Sequence, residues 1–190
     1  MKVLGILPFA RQLLINAISN GDSAIDGTAG NGHDTLFLAQ LVGDLGRVYG
    51  FDIQEAAIRK TKERLIEHGA LNQVSLFQSG HQEAKNLIPE NDHGNISGAI
   101  FNLGYLPGGD KSIVTKPETT LKAIADIFSL LKKGGIIVLV IYHGHEEGRK
   151  EKDVLLNYVS SIDQAEGHVL TYQFLNQKNN PPFIVAIEKR

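Results

Sequence analysis

The sequence predicts an α/β fold, a mostly parallel, doubly wound sheet with a C-terminal antiparallel hairpin. Three observations predict it. Short apolar runs rich in Val and Ile alternate with amphipathic stretches, a Gly-rich turn directly follows the first run, and the last two runs are joined by a loop too short for a crossover. Parallel neighbours require a crossover, usually a helix, so the alternation reads as βαβ units with helices on both faces.

Strands are expected at Ser23 to Asp26, Arg47 to Ile53, Val74 to Gln78, Gly98 to Leu103 and Ile136 to Tyr142, with helices between them. Ahead of the first strand, Pro8 to Ser19 puts Phe9, Leu13 and Ala17 on one side with Leu14 and Ile18 beside them, the stripe of a helix lying on a sheet. Beyond Tyr142, Glu146 to Ile162 reads as a helix. Val169 to Leu175 and Phe183 to Glu188 read as strands around the turn-prone segment Asn176 to Pro182, most simply an antiparallel hairpin. Five parallel strands closed by an antiparallel pair resemble the Rossmann-like seven-stranded methyltransferase sheet more than the all-parallel dinucleotide-binding sheet.

With 190 residues, 42% of them hydrophobic, the chain suits one domain with its own core, spanning residues 1–190. No apolar run approaches the roughly 18 residues of a membrane span, and MKVLGILPFARQLL lacks a signal-peptide cleavage region, so a cytoplasmic location is expected. The absence of cysteine excludes disulfides, thiolate metal sites and a thiol nucleophile. A formal charge of -2 argues against binding nucleic acid by bulk electrostatics and leaves only local patches for an RNA.

The cofactor constellation begins where the first strand ends, at Asp26-Gly27-Thr28-Ala29-Gly30-Asn31-Gly32, with a helix starting near His33. Ligands of doubly wound sheets bind outside the carboxyl ends of strands, and Gly30 and Gly32 permit close backbone approach. Asp34 stands in the first helical turn, as a cofactor neighbour or as a helix cap. A nicotinamide enzyme is the competing reading, because Gly30-Asn31-Gly32 opens like G-x-G-x-x-G. Thr35 in place of the third glycine, and acidic Asp34 where a pyrophosphate wants positive potential, oppose it. A sulfonium cofactor has no phosphate, and its cationic part tolerates carboxylates such as Asp26. Asp52, followed by Ile53 and Gln54, lies about twenty residues past the glycines, the spacing at which a carboxylate accepts hydrogen bonds from ribose hydroxyls. Gly80, His81 and Gln82 follow the third strand and would flank an adenine. The expected cofactor is S-adenosyl-L-methionine, bound by these residues with Thr28, Asn31, Thr35 and Asn102.

Asn102-Leu103-Gly104-Tyr105-Leu106-Pro107-Gly108-Gly109-Asp110 follows the fourth strand, where amino-methylating enzymes carry Asn/Asp-Pro-Pro-Tyr. The match is partial, with Leu103-Gly104 replacing the prolines. Asn102 offers an amide oxygen to a substrate N–H, and Tyr105 offers a flat ring and a hydroxyl. Asp110, Tyr142, His143 and His145 are candidates for proton handling or substrate contact. The His143-Gly144-His145 spacing suits a strand-end loop better than a zinc site, and methyl transfer from a sulfonium needs no metal.

AIDGTAGNGHDT, GFDIQ, FNLGYLPGGDKSIVT and YHGHEEG together resemble the YtqB-like rRNA-methylase family over nearly the whole chain. The resemblance implies a tRNA methyltransferase of the MnmM type, which converts 5-aminomethyl-2-thiouridine at the wobble position to its 5-methylaminomethyl form. The residue inventory agrees in one respect: methylating a pyrimidine carbon commonly needs a cysteine, whereas an aliphatic amine needs only a neutral nitrogen in line with the methyl. Lys111, Lys116, Arg149 and Lys150 are candidate phosphate contacts. A tRNA anticodon region is the expected partner, and a homodimer would supply more surface for it. An rRNA or small-molecule acceptor, a nicotinamide oxidoreductase and a non-catalytic RNA-binding domain are the alternatives.

Overall fold

The computed structural model describes residues 2–104, 115–144 and 146–190. Helix α1, Ile6–Ala17, leads into β1, Ser23–Asp26; then follow α2, His33–Val42, β2, Arg47–Asp52, α3, Glu55–Glu67, and β3, Val74–Gln78. The one-turn helix α4, Ala84–Leu87, precedes β4, Ile96–Leu103; α5, Pro117–Leu130, runs directly into β5, Leu131–Ile141; α6, Glu146–Ser160, precedes β6, Gly167–Tyr172, and β7, Phe183–Lys189.

The described strands form one seven-stranded sheet in the order β3-β2-β1-β4-β5-β7-β6. The strands from β1 to β5 pair in parallel, and β7 runs antiparallel between β5 and β6. β7 therefore sits inside the sheet while β6 forms its edge. The sequence carries this difference: Phe183-Ile184-Val185-Ala186-Ile187 is an unbroken apolar run buried throughout, whereas His168 to Thr171 on β6 are exposed. One apolar cluster lies on each face of the sheet, the larger built with α5 and α6 and the other with α1 and α2.

Several elements depart from their expected bounds: β4 begins at Ile96, β5 begins at Leu131 and ends at Ile141, and β6 is Gly167–Tyr172 instead of Val169 to Leu175. α1 starts before Pro8, which occupies the first turn where its missing N–H costs nothing. Its most buried line is Ile6, Ala10, Leu14 and Ile18, with Phe9, Leu13 and Ala17 flanking it. Leu14 and Ile18 come so close to β4 that a Cβ on Gly98 would lie 2.7 Å from Ile18. No described helix is long and apolar enough to cross a membrane.

Gly32, the residue before α2, has φ 79°. A Cβ there would lie 2.8 Å from the Thr61 Cα on α3, so the turn needs both the left-handed conformation and the missing side chain. Gly32→Ala is expected to cost about 1–2 kcal/mol from conformation alone, with the backbone contact adding to it. A thermal melt indistinguishable from wild type would refute that account of the turn.

Candidate active site

The carboxyl ends of β1, β2, β4 and β5 open onto one cleft of about 1070 Å³. This is the crevice a doubly wound sheet provides, between strands whose crossovers leave in opposite directions.

The turn after β1 is held from behind. Asp26 is fully buried; its Oδ1 accepts the Thr28 N–H at 3.1 Å and its Oδ2 accepts the Thr35 hydroxyl at 2.6 Å. From α3, the Thr61 hydroxyl donates to the Gly30 carbonyl at 3.2 Å, and Arg64 Nε to the Asn31 carbonyl at 2.8 Å. Asp52 then ties two loops together: Oδ2 accepts the Gly30 N–H and Oδ1 the Gln54 N–H, each at 2.9 Å. A carboxylate oxygen accepts more than one hydrogen bond, so Asp52 retains acceptor capacity at the cleft it lines.

Burial pushes the Asp26 carboxyl up to about 7 from an ordinary 3.8, with the Asp34 and Asp52 charges adding and the Thr35 and Thr28 hydrogen bonds opposing. Asp26→Asn keeps the shape and one acceptor but cannot ionise. A raised folded-state value means that the stabilising protonated form is fully present below about 3.8 and is lost as pH rises through about 7. The wild-type melting temperature is therefore expected to fall across that window relative to Asp26→Asn, with the widest gap on the alkaline side. Melting profiles that stay parallel at every pH would refute it.

Asn102, at the end of β4, is held at two points. Its backbone N–H donates to Thr28 Oγ1 at 2.7 Å, and its side-chain Nδ2 to Asp34 Oδ2 at 2.9 Å. The other Asp34 oxygen receives Arg11 from α1, at 2.9 Å from Nη2 and 3.3 Å from Nε. The Arg11 guanidinium lies 5.0 Å from the centre of the Phe37 ring. The carboxylate fixes the amide's sense, because a flipped Asn102 would turn its oxygen against Asp34. Among the described residues, Oδ1 is left as the amide's uncommitted acceptor.

Of the three histidines that line the cleft, His81 and His143 are held below the ordinary imidazole range. His81 Nδ1 lies 3.1 Å from the Gly27 carbonyl, which can only accept, so Nδ1 carries the proton. Burial holds His81 below the ordinary imidazole range, and its Nε2 is a buried acceptor without a partner among the described residues. His143 is also held down, first by burial and then by Lys152 and Arg149, against the pull of the Pro181 carbonyl and its own. Beside it, burial and then the Asp34 charge keep the Tyr142 hydroxyl protonated.

The structure gathers most of the expected residues at this cleft. Thr28, Gly30, Asn31 and Asp34 line it from the first turn, and Asp52, Ile53 and Gln54 from the end of β2. Gly80, His81 and Gln82 line its third-strand side, while Asn102, Lys116, Tyr142 and His143 form the opposite wall. Asp26, Gly32 and Thr35 stand behind the wall instead, where they shape the turn. Asp34 caps nothing: α2 has no side-chain cap, and the carboxylate is taken by Arg11 and Asn102. Arg149 is exposed on α6, outside the cleft lining. Lys150 is exposed on the same helix. Tyr105, Asp110, Lys111 and His145 lie outside the described residues.

Sequence reasoning missed Arg11 and Glu151. Nothing local marks Arg11, whose partner is 23 residues away. Glu151 is only 2% exposed and accepts the hydroxyls of Thr115, at 2.6 Å, and Thr120, at 2.7 Å. Thr115 is bonded in turn to Gly104 in both directions, each at 3.1 Å, fastening the end of β4 to the approach to α5. A signal existed here: Glu151 lies in the i, i+4, i+8 line of buried Leu155 and Val159, a position where a charge needs partners.

The strand order and this cleft define the seven-stranded class of S-adenosylmethionine-dependent methyltransferases. Residues 48–188 match the family described as Putative rRNA methylase, and the chain belongs to that family. It is 37% identical over 180 residues to the chloroplastic tRNA (mnm(5)s(2)U34)-methyltransferase of Arabidopsis thaliana, an alignment covering 90% of this chain and 65% of that protein. The chain thus spans just under two thirds of the plant relative. The crystal structure of a putative rRNA-methylase from Clostridium thermocellum superposes with a TM-score of 0.96 at 41% identity, covering 100% of both chains. SMU.1697c from Streptococcus mutans, a putative methyltransferase solved in complex with SAH, superposes with a TM-score of 0.89 at 41% identity, covering 99% of both.

Proposed function

We propose that this chain is an S-adenosylmethionine-dependent tRNA methyltransferase that N-methylates the 5-aminomethyl group of a wobble (2-thio)uridine to 5-methylaminomethyl. The carrying observation is the Asn102 amide, locked by Asp34 with its oxygen uncommitted at the wall that faces the cofactor loops. Such an oxygen accepts an N–H, so it suits an amine and gives nothing to a carbon nucleophile. Two further facts support the reading: the chain has no cysteine for attack on a pyrimidine ring, and the Arabidopsis relative bears the corresponding name.

The residues present suit S-adenosylmethionine. Asp52 retains acceptor capacity for ribose hydroxyls, and the bare His81 Nε2 matches the donor that an adenine amino group offers. Ile53, Gln54, Gly80 and Gln82 complete the nucleoside side, and the turn from Thr28 to Asn31 takes the methionine side. When bound, the cofactor supplies an electrophilic methyl group on a sulfonium.

Asn102 Oδ1 holds one N–H of the neutral amine and leaves the nitrogen lone pair free for the methyl carbon. Methyl transfer to that nitrogen would leave a secondary ammonium with one proton too many. His143, kept neutral at the same wall, accepts it. Tyr142 and Lys116 contact the RNA beside it.

The reading is tested with purified protein, S-adenosylmethionine and tRNA bearing the unmethylated 5-aminomethyl group. One methyl group per modified uridine is expected. Incorporation into ribosomal RNA but not into this tRNA would overturn it.

A further inference from the structure

A second cavity, of about 370 Å³, opens under the β6–β7 loop and meets the main cleft at two shared residues, His143 and Asn180. His143 is the partition: its ring stands edge-on to Phe183 at 5.4 Å. The far wall carries Gln173, Gln177, Lys178 and Asn179, all exposed, around the partly buried ring of Phe174. None of these four polar side chains makes a hydrogen bond among the described residues. Asn179 and Asn180 both adopt positive φ, 67° and 49°, so the loop holds two consecutive non-glycine residues in a conformation that costs free energy.

We infer that this cavity binds the nucleotide adjacent to the methylated one in the substrate RNA. The inference rests on the proposed RNA-methylating function and names a site beyond it. Its chemistry favours a nucleotide in three ways. Side-chain amides carry both donors and acceptors and so match the mixed edge of a base. The Phe174 ring is part of the lining, and base stacking on aromatic rings is the common mode of single-strand recognition. From Gly167 to Ile187 the chain has no Asp or Glu, although it holds 21 in all, so a phosphate beside Lys178 meets no opposing carboxylate on this wall. The volume lies at the small end of the roughly 300–1,000 Å³ range of ligand sites, room for one nucleotide rather than a long ligand. Sharing His143 with the main cleft puts that nucleotide next to the acceptor amine, as the neighbour in a single strand must be.

The test compares wild type with Gln177→Ala/Lys178→Ala, two exposed positions outside the strands. Turnover is measured on a pentanucleotide with central 5-aminomethyl-2-thiouridine and on the corresponding mononucleoside; binding of the labelled pentanucleotide is read by fluorescence anisotropy without cofactor. The ratio of kcat/KM for pentanucleotide to mononucleoside is expected to fall about tenfold in the variant, with a matching rise in the anisotropy Kd. An equal ratio and an equal Kd in the two proteins would overturn the inference. Wild-type protein that binds the pentanucleotide through these residues yet methylates neither substrate would contradict the proposed reaction and not the cavity.

Discussion

Asn102→Ala is expected to lower methyl transfer by about a hundredfold, the typical loss when a reacting group is no longer held in line. The substitution removes the side chain alone; the backbone N–H that binds Thr28 remains, so the first turn keeps its support. Cofactor affinity should change little, and the loss should appear in kcat. Asp34 acts through Asn102, which gives the prediction a second arm. Asp34→Ala frees the amide to flip and should also reduce kcat, while the double variant should be no worse than Asn102→Ala alone, as coupled residues in one hydrogen-bonded unit behave. Additive losses would mean that Asp34 serves the reaction by another route.

Asp52→Asn should produce the opposite kinetic pattern. Each Asp52 oxygen now accepts a backbone N–H, from Gly30 and from Gln54. An asparagine must set its own NH2 against one of those donors and loses the charge that strengthens both bonds. The ribose hydroxyls would donate to the same carboxylate, and a hydrogen bond to a charged group contributes about 1.5–3 kcal/mol, so cofactor affinity should fall about ten- to a hundredfold. At saturating cofactor, kcat should recover substantially, because Asp52 stands on the nucleoside side of the cleft and Asn102 on the other. Calorimetric titration with S-adenosylmethionine checks the first part. An unchanged Kd would refute the role given to Asp52.

The contrast between these residues explains how much of the site was legible in the sequence. Asp52 and the glycine turn are local signals: a carboxylate at a strand end and residues that permit left-handed backbone have meaning wherever the strand lies. The strands themselves were legible because apolar runs and turns are written in consecutive residues. β7 carried its interior position in the same way, as an unbroken apolar run. Which face of the turn each residue would take was not written there. Asp26 looks like a cofactor ligand by position, yet Thr35 and the Thr28 N–H draw its carboxylate inward, behind the wall. Asp34 looks like a cap because it opens a helix, and only the fold brings Arg11 and Asn102 to it across 23 and 68 residues. Side chains whose function comes from distant partners leave no periodic trace. Glu151 is intermediate, since a charged residue on an otherwise apolar helix line signals burial without naming Thr115 and Thr120 as its partners.

The most direct test of the account is mass spectrometry of tRNA nucleosides from cells with and without the gene. Deletion is expected to remove 5-methylaminomethyl-2-thiouridine and accumulate the 5-aminomethyl form, and wild-type protein, but not Asn102→Ala, is expected to restore it. A nucleoside profile unchanged by deletion would contradict the account.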